Sequence, residues 1–195
     1  MADDVSQILE KMKLTLEEEE TINISDEGRQ EELKSCALSL FGKFLTCKPF
    51  NKKAALVTLK KAWGLEDGVQ VVEVGSNLFQ FKFRSEFELN RVYTGGLWSF
   101  VNQALLLTRW KSGMTAMNVK FDSIALWVQI WGAPFEMTST RVAEEMRNRL
   151  GRVLEVERLR NNDSQNFFMW VKVAIPLEKE IRRGAFLASS DRKKY

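Results

Sequence analysis

Histidine is absent from these 195 residues, and cysteine occurs only at Cys36 and Cys47. The two shortages exclude histidine-based acid–base catalysis and four-ligand zinc sites, which removes most hydrolases at once. No apolar run approaches the roughly 20 residues that a membrane span requires. The acidic opening "MADDVSQILEKMK" also lacks the basic region of a secretory signal. An intracellular, water-soluble protein with no membrane partner is expected, with nucleus and cytoplasm equally open. At this length the chain buries a real core without disulfides.

Charge is present in both signs but unevenly distributed. Residues 1–35 hold 11 Asp and Glu against 4 Lys and Arg, whereas residues 36–195 hold 15 against 25. A basic body of this kind suggests a polyanionic partner, nucleic acid before a membrane surface, with ordinary solubility as the plainer alternative. Val5, Ile8, Leu9 and Met12 fall at helical spacing, so a short amphipathic helix is expected over residues 2–13. The run "TLEEEETINISDEGRQEE" that follows has no apolar period and reads as a flexible linker, or as an electrostatic competitor for the basic body.

Regular patterning begins at residue 36. "CALSLFGKFLT" reads as a strand, and Asn51 opens a helix in which Leu56, Leu59 and Trp63 share one face. Lys52, Lys53, Lys60 and Lys61 lie mostly away from that face, and Gly64 ends the helix. Two strands joined at Gly75-Ser76 come next, then a helix with capping-box spacing at Ser85 and Glu88. Its apolar face is Leu89, Val92 and Tyr93, Gly95-Gly96 stops it, and "NQALLLTRW" is a further strand. The fold class predicted is therefore α+β, with a β-α-β-β-α-β unit over residues 36–112 of the ferredoxin-like, RNA-recognition-motif-like kind. After a connecting loop at 113–122, residues 123–177 read as a second β-α-β-β segment packed on the first unit or extending it, and 178–195 as a basic tail. Its helix, "TSTRVAEEMRNRLG", carries Val142, Met146 and Leu150 on one side.

Phe79, Phe81 and Phe83 recur at every second position of "NLFQFKF", so they share one face of a strand. Phe83 sits where an RNA-recognition fold turns its last third-strand aromatic inward, just before the helix cap. All three rings should then fill the core, leaving Leu78, Gln80, Lys82 and Arg84 on the open face. The first strand keeps one candidate for base stacking, Phe41, with Lys43 at the same parity. Six tryptophans invite a stacking role as well, but each is better explained as core or interface. Trp127, Gln129 and Trp131 alternate with Ile124, Leu126, Val128 and Ile130, which predicts a strand covered on both sides.

Cations supply the remaining candidates. Lys43, Lys82, Arg84, Arg109 and Lys111 lie on or beside the first unit's strands. Arg147, Arg149 and Arg152 follow the second helix and its exit, and Arg182 and Arg183 begin the tail cluster. Such groups hold phosphates and do not read bases, so binding to RNA or single-stranded DNA should be weakly specific and salt-sensitive. No enzyme is expected: Glu144 and Glu145 are helix neighbours whose side chains diverge, and "VYTGGLW" lacks the lysine and spacing of a phosphate loop. An acylphosphatase-like enzyme on the same fold lacks an identifiable phosphate cradle. No cofactor, metal or small-molecule substrate is expected, and self-association through the aromatic surface stands as the alternative to nucleic-acid binding.

The stretches "GKFLTCKPFNKKAALVTLKKAWG", "NLFQFKF", "VYTGGLWSFVNQALLLTRW" and "LWVQIWGAPFEMTS" and the late "PLEKEIRRG" carry a family likeness. The chain resembles the plant domain of unknown function that precedes a CCHC zinc knuckle in gag-like proteins of LINE-type retrotransposons and their domesticated relatives. The resemblance implies nucleic-acid association within a ribonucleoprotein. The sequence closes at "SSDRKKY", about where that knuckle would begin, and has no CCHC ligands, so metal binding does not carry over.

Overall fold

A computed structural model describes residues 20–146, 151–156, 168–181 and 183–188. The helix expected over residues 2–13 lies outside the described residues, as do Arg147, Arg149, Leu150 and Arg182. The described residues fall into two units, divided between Lys34 and Ser35. The described part of the first is acidic and almost wholly exposed. A single 3-10 turn, Glu27–Arg29, follows Asp26, whose carboxylate accepts a 3.0 Å hydrogen bond from Arg29 Nε.

Helix α1 spans Gln30–Ala37, so the strand expected from Cys36 starts later, as β1 at Ser39–Phe44. Short mixed runs such as "CALSLF" fit either period, and here Cys36 and Ala37 complete the last helical turn. Ser39 Oγ donates to the Cys36 carbonyl at 2.7 Å, meeting one of the acceptors a helix end leaves over. Helix α2, Lys52–Trp63, is bounded as expected: Asn51 Oδ1 accepts from the Ala54 N–H, and Gly64 takes the left-handed conformation at φ 64°. Ala55, Leu59 and Trp63 are its buried positions.

Strands β2 (Val69–Gly75) and β3 (Leu78–Phe83) form a hairpin whose tip is Ser76-Asn77, one residue beyond the expected Gly75-Ser76. Asn77 tolerates φ 55° and adds a second function. Its side-chain oxygen accepts from the Phe44 N–H and its amide donates to the Phe44 carbonyl, clamping the hairpin tip to the end of β1. Helix α3, Glu86–Thr94, opens on Ser85, whose hydroxyl accepts from the Glu88 N–H. Glu88 Oε2 reaches back to accept from the Arg84 N–H at 3.2 Å, one residue beyond the Ser85 N–H that a full capping box uses. Leu89 and Val92 are buried, but Tyr93 is exposed. Strand β4, Ser99–Phe100, has no signal in the sequence pattern and is hairpinned to β5, Gln103–Arg109. Both tip residues have positive φ, 48° at Val101 and 58° at Asn102, and a β-branched Val gives no signal for such a turn.

These elements make an α+β architecture with two antiparallel sheets. The first runs β2-β3-β1-β5-β4, with β1 paired to both β3 and β5. Phe79, Phe81 and Phe83 all face its helix-covered side, joining Leu40, Phe44, Leu59, Trp63, Leu89 and Leu105 in one core. Gly42 makes room there: a Cβ at that position would stand 2.5 Å from Phe81 Cε2 and 3.1 Å from a Leu107 methyl. The second sheet runs β6-β8-β7, from Ser123–Trp131, Phe168–Pro176 and Arg152–Val156. Ile124, Leu126, Val128 and Ile130 face Ile175, Val173, Val171 and Met169 across the β6-β8 ladder, and Ala143 of helix α4 (Thr140–Glu145) packs against them.

Candidate functional site

Three surfaces are candidates for a binding role, and the first is the side of the five-stranded sheet away from its helices. The strand register places Phe41 beside Gln80 and Thr108, and Lys43 beside Leu78 and Leu106. In an RNA-recognition fold this is where bases stack. Here the centre of the face is covered: Phe41 keeps 6% of its surface, Leu78 7%, Gln80 9% and Leu106 5%. Gln80 Nε2 donates to Ser39 Oγ at 3.1 Å and lies 3.8 Å from Cys36 Sγ, so the end of α1 closes part of it. Phe41 therefore packs, and a ring so enclosed presents no face to a base. The open-face placement expected for Leu78 and Gln80 is corrected in the same way: their parity is right, but the centre of the face is covered.

The predicted cations are dispersed. Lys43 is exposed and Lys82 half-buried on that same face, at opposite ends of the β1-β3 ladder. Arg84 is exposed but donates from Nη2 to the Asp67 carbonyl at 2.8 Å, which ties it to the turn before β2. Arg109 points to the helix side, pairing with Glu86 at 2.6 Å, bonding Asn90 and standing 5.7 Å from the Tyr93 ring centre. Lys111, Arg152 and Arg183 are exposed, Arg152 on the second sheet.

Arg109 also acts on Glu86. The Arg109 hydrogen bond holds the carboxyl below the usual carboxylate range; desolvation opposes it, and the Arg109 charge and the Asn90 hydrogen bond add lesser lowering effects. A depressed folded pKa contributes stability above the unfolded pKa, and that contribution is lost as pH falls through the folded value. In Arg109→Leu the Glu86 carboxyl should titrate at higher pH than in the parent when its carbon shift is followed by NMR; an unmoved midpoint would contradict the pairing.

The second surface is the outer face of α2, and the sequence carried its signal in the spacing of the lysines. Lys53, Val57, Lys60 and Lys61 share that side, and no Asp or Glu occurs between residues 52 and 63. Lys53 and Lys61 are exposed and Lys60 half-buried, whereas Lys52 is spent on an ion pair with Glu73. An acid-free helix face with three cations is a solvated stripe suited to a polyanion.

The third surface is the outer face of the second sheet, where both-sided burial was expected. Trp127 retains 40% of its surface and Trp131 63%, so this side of β6 is open. Alternating aromatic and aliphatic residues read as a doubly covered strand because both are apolar; only the packing partners decide otherwise. Trp170 sits opposite Gln129 and meets Trp127 edge-on at 6.3 Å between ring centres. Trp131 Nε1 donates to Gln129 Oε1 at 3.3 Å. Lys172, opposite Trp127, is buried; its ammonium lies 5.7 Å from that ring's centre and donates to the Thr94 carbonyl at 2.7 Å. That bond bridges the second sheet to the end of α3 beside a cavity of about 510 Å³ lined by Leu106, Ala125, Arg152 and Glu155 among others.

Among the described residues no helix is long and apolar enough to cross a membrane, and no group of three His, Cys, Asp or Glu side chains is placed to hold a metal ion. Residues 32–118 match the model of a domain of unknown function, DUF4283. The match takes in the five-stranded sheet and α2, and the second sheet lies beyond it. No curated protein matches the chain.

Proposed function

We propose that this chain is a non-catalytic nucleic-acid-binding module for RNA or single-stranded DNA that holds phosphates through basic surfaces. The observation that carries the reading is the acid-free outer face of α2, with Lys53, Lys60 and Lys61, on a body of 25 basic against 15 acidic residues. Lys43, Lys111, Arg152 and Arg183 add exposed cations elsewhere on that body. The order β2-β3-β1-β5 with helices after β1 and β3 supports a ferredoxin-like scaffold. The sequence resemblance alone extends the proposal to a gag-like role in a plant retroelement-derived ribonucleoprotein inside the cell; the family matched at residues 32–118 is one of unknown function.

A covered sheet face and dispersed cations favour contacts to the backbone over base reading. Anisotropy of labelled single-stranded RNA across a salt series tests the reading. The expected result is a linear fall of log affinity with log salt, steeper than that of a protein making one or two contacts. Absence of binding at low salt, or a flat response, rejects it. A second reading, self-association through apolar surface, is favoured by the exposure of Trp131 and Phe135.

A further inference from the structure

We infer that the outer face of the three-stranded sheet is a base-stacking platform for single-stranded nucleic acid, with Trp127 and Trp131 as the stacking residues. The inference rests on the nucleic-acid reading above and moves the base contacts from the five-stranded sheet to the second one. Its first support is exclusion: Phe41, Leu78, Gln80 and Leu106 close the face on which an RNA-recognition fold would stack bases. Base contact therefore needs another open sheet.

The second support is spacing. Trp127 and Trp131 lie four residues apart on β6, about 13 Å along a strand, and Trp170 stands between them on β8, opposite Gln129. The two exposed indoles can each receive a base of an extended strand, since every base has a π-face and such stacking tolerates any sequence, while the half-buried Trp170 stands edge-on to Trp127 and supports it. Polar groups are interleaved with the rings. Gln129 lies between the two exposed indoles, and Arg152, exposed and paired with Ala174, adds a cation for phosphate at the cavity end of the same face. Glu155, opposite Lys172, is the acid on that face.

Lys172 is a structural part of this platform. Its ammonium faces Trp127 and is bonded to the Thr94 carbonyl, so it holds the sheet beside α3 and biases the Trp127 ring toward an electron-rich contact. A protein-docking patch would favour an apolar centre depleted of charge. A face that alternates rings with an amide and flanking charges suits bases better, because they bring both π-surface and polar edges.

The test measures labelled oligouridylate binding by the full chain, by Trp127→Ala/Trp131→Ala and by Trp127→Phe/Trp131→Phe, each across a salt series. The alanine pair should lose about 30-fold or more in affinity with the salt slope unchanged, because stacking releases no counterions. The phenylalanine pair should recover most of that loss, which a purely structural role at exposed positions would not produce. Parental affinity in the alanine pair overturns the platform while leaving the nucleic-acid reading intact; absence of binding by the parent chain overturns both. If the alanine pair binds RNA normally but changes the molar mass by light scattering, the face belongs to a second copy and the inference is wrong. Should the alanine pair melt early, the phenylalanine pair decides: a loss equal to that of the alanine pair, in a folded protein, also overturns it.

Discussion

Phe81→Ala should cost about 3–5 kcal/mol of folding stability, read as a lower urea midpoint at an unchanged slope. Phe81 is fully buried and meets Trp63 edge-on at 5.2 Å between ring centres. It also lies over Gly42, the one position of β1 with no side chain to fill the space left behind. Neither neighbour collapses easily: Trp63 is held on α2, and the β1 backbone is paired on both sides. The cavity therefore stays open, which is the expensive outcome for a large-to-small change. Against a total stability of order 5–15 kcal/mol, the loss is large enough to populate unfolded chain near room temperature. Phe87→Ala supplies the contrast. That ring is exposed on α3, and its removal should move stability by no more than about 0.5 kcal/mol.

Reversing charge at Lys53, Lys60 and Lys61 together should weaken single-stranded RNA binding on the order of 100-fold at low salt, with the thermal midpoint nearly unchanged. Each reversal removes one cation–phosphate contact, worth about 1 kcal/mol or more at an exposed site when counterions are dilute. Repulsion by the new carboxylates adds to the loss. The fold should tolerate the changes because α2 packs through Ala55, Leu59 and Trp63, and glutamate is as good a helix former as lysine. Lys52 is left in place, since its ion pair with Glu73 ties the helix to the edge strand β2. The same reversal at Arg84 would be a poorer test, because its bond to the Asp67 carbonyl would be lost with the charge.

What could be read from the sequence was local. The Asn51 cap, the Gly64 stop, the Ser85 cap and the inward parity of the three phenylalanines each depend on a few adjacent residues, and each is found in the structure. The start of β1 differs from the expected one because Cys36 and Ala37 belong to a helix whose apolar period is too short to show in the sequence. The β4 hairpin escaped because Val101 adopts positive φ without a glycine or asparagine in its place.

The candidate site was legible in residue type but not in surroundings. Parity places Phe41 and Gln80 on the open side of the sheet, yet only the tertiary packing closes that side. Arg109 reads as a cation at a strand end, and its pairing with Glu86 depends on where α3 comes to lie. On β6 the error ran the other way, since an alternation of tryptophan with isoleucine and valine suggests burial for both sets and the structure leaves one of them open. The α2 lysines are in plain view, but a helix that covers a sheet gives no hint from sequence that its far side is a candidate surface.

Phosphate binding by the basic surface of this chain is read most directly from the salt slope. With the parent and the Lys53→Glu/Lys60→Glu/Lys61→Glu variant titrated side by side on one single-stranded RNA, the variant's slope should be shallower by about 2, three contacts at roughly 0.7 each. Two parallel lines of equal slope, or no binding by the parent at the lowest salt, would contradict the account.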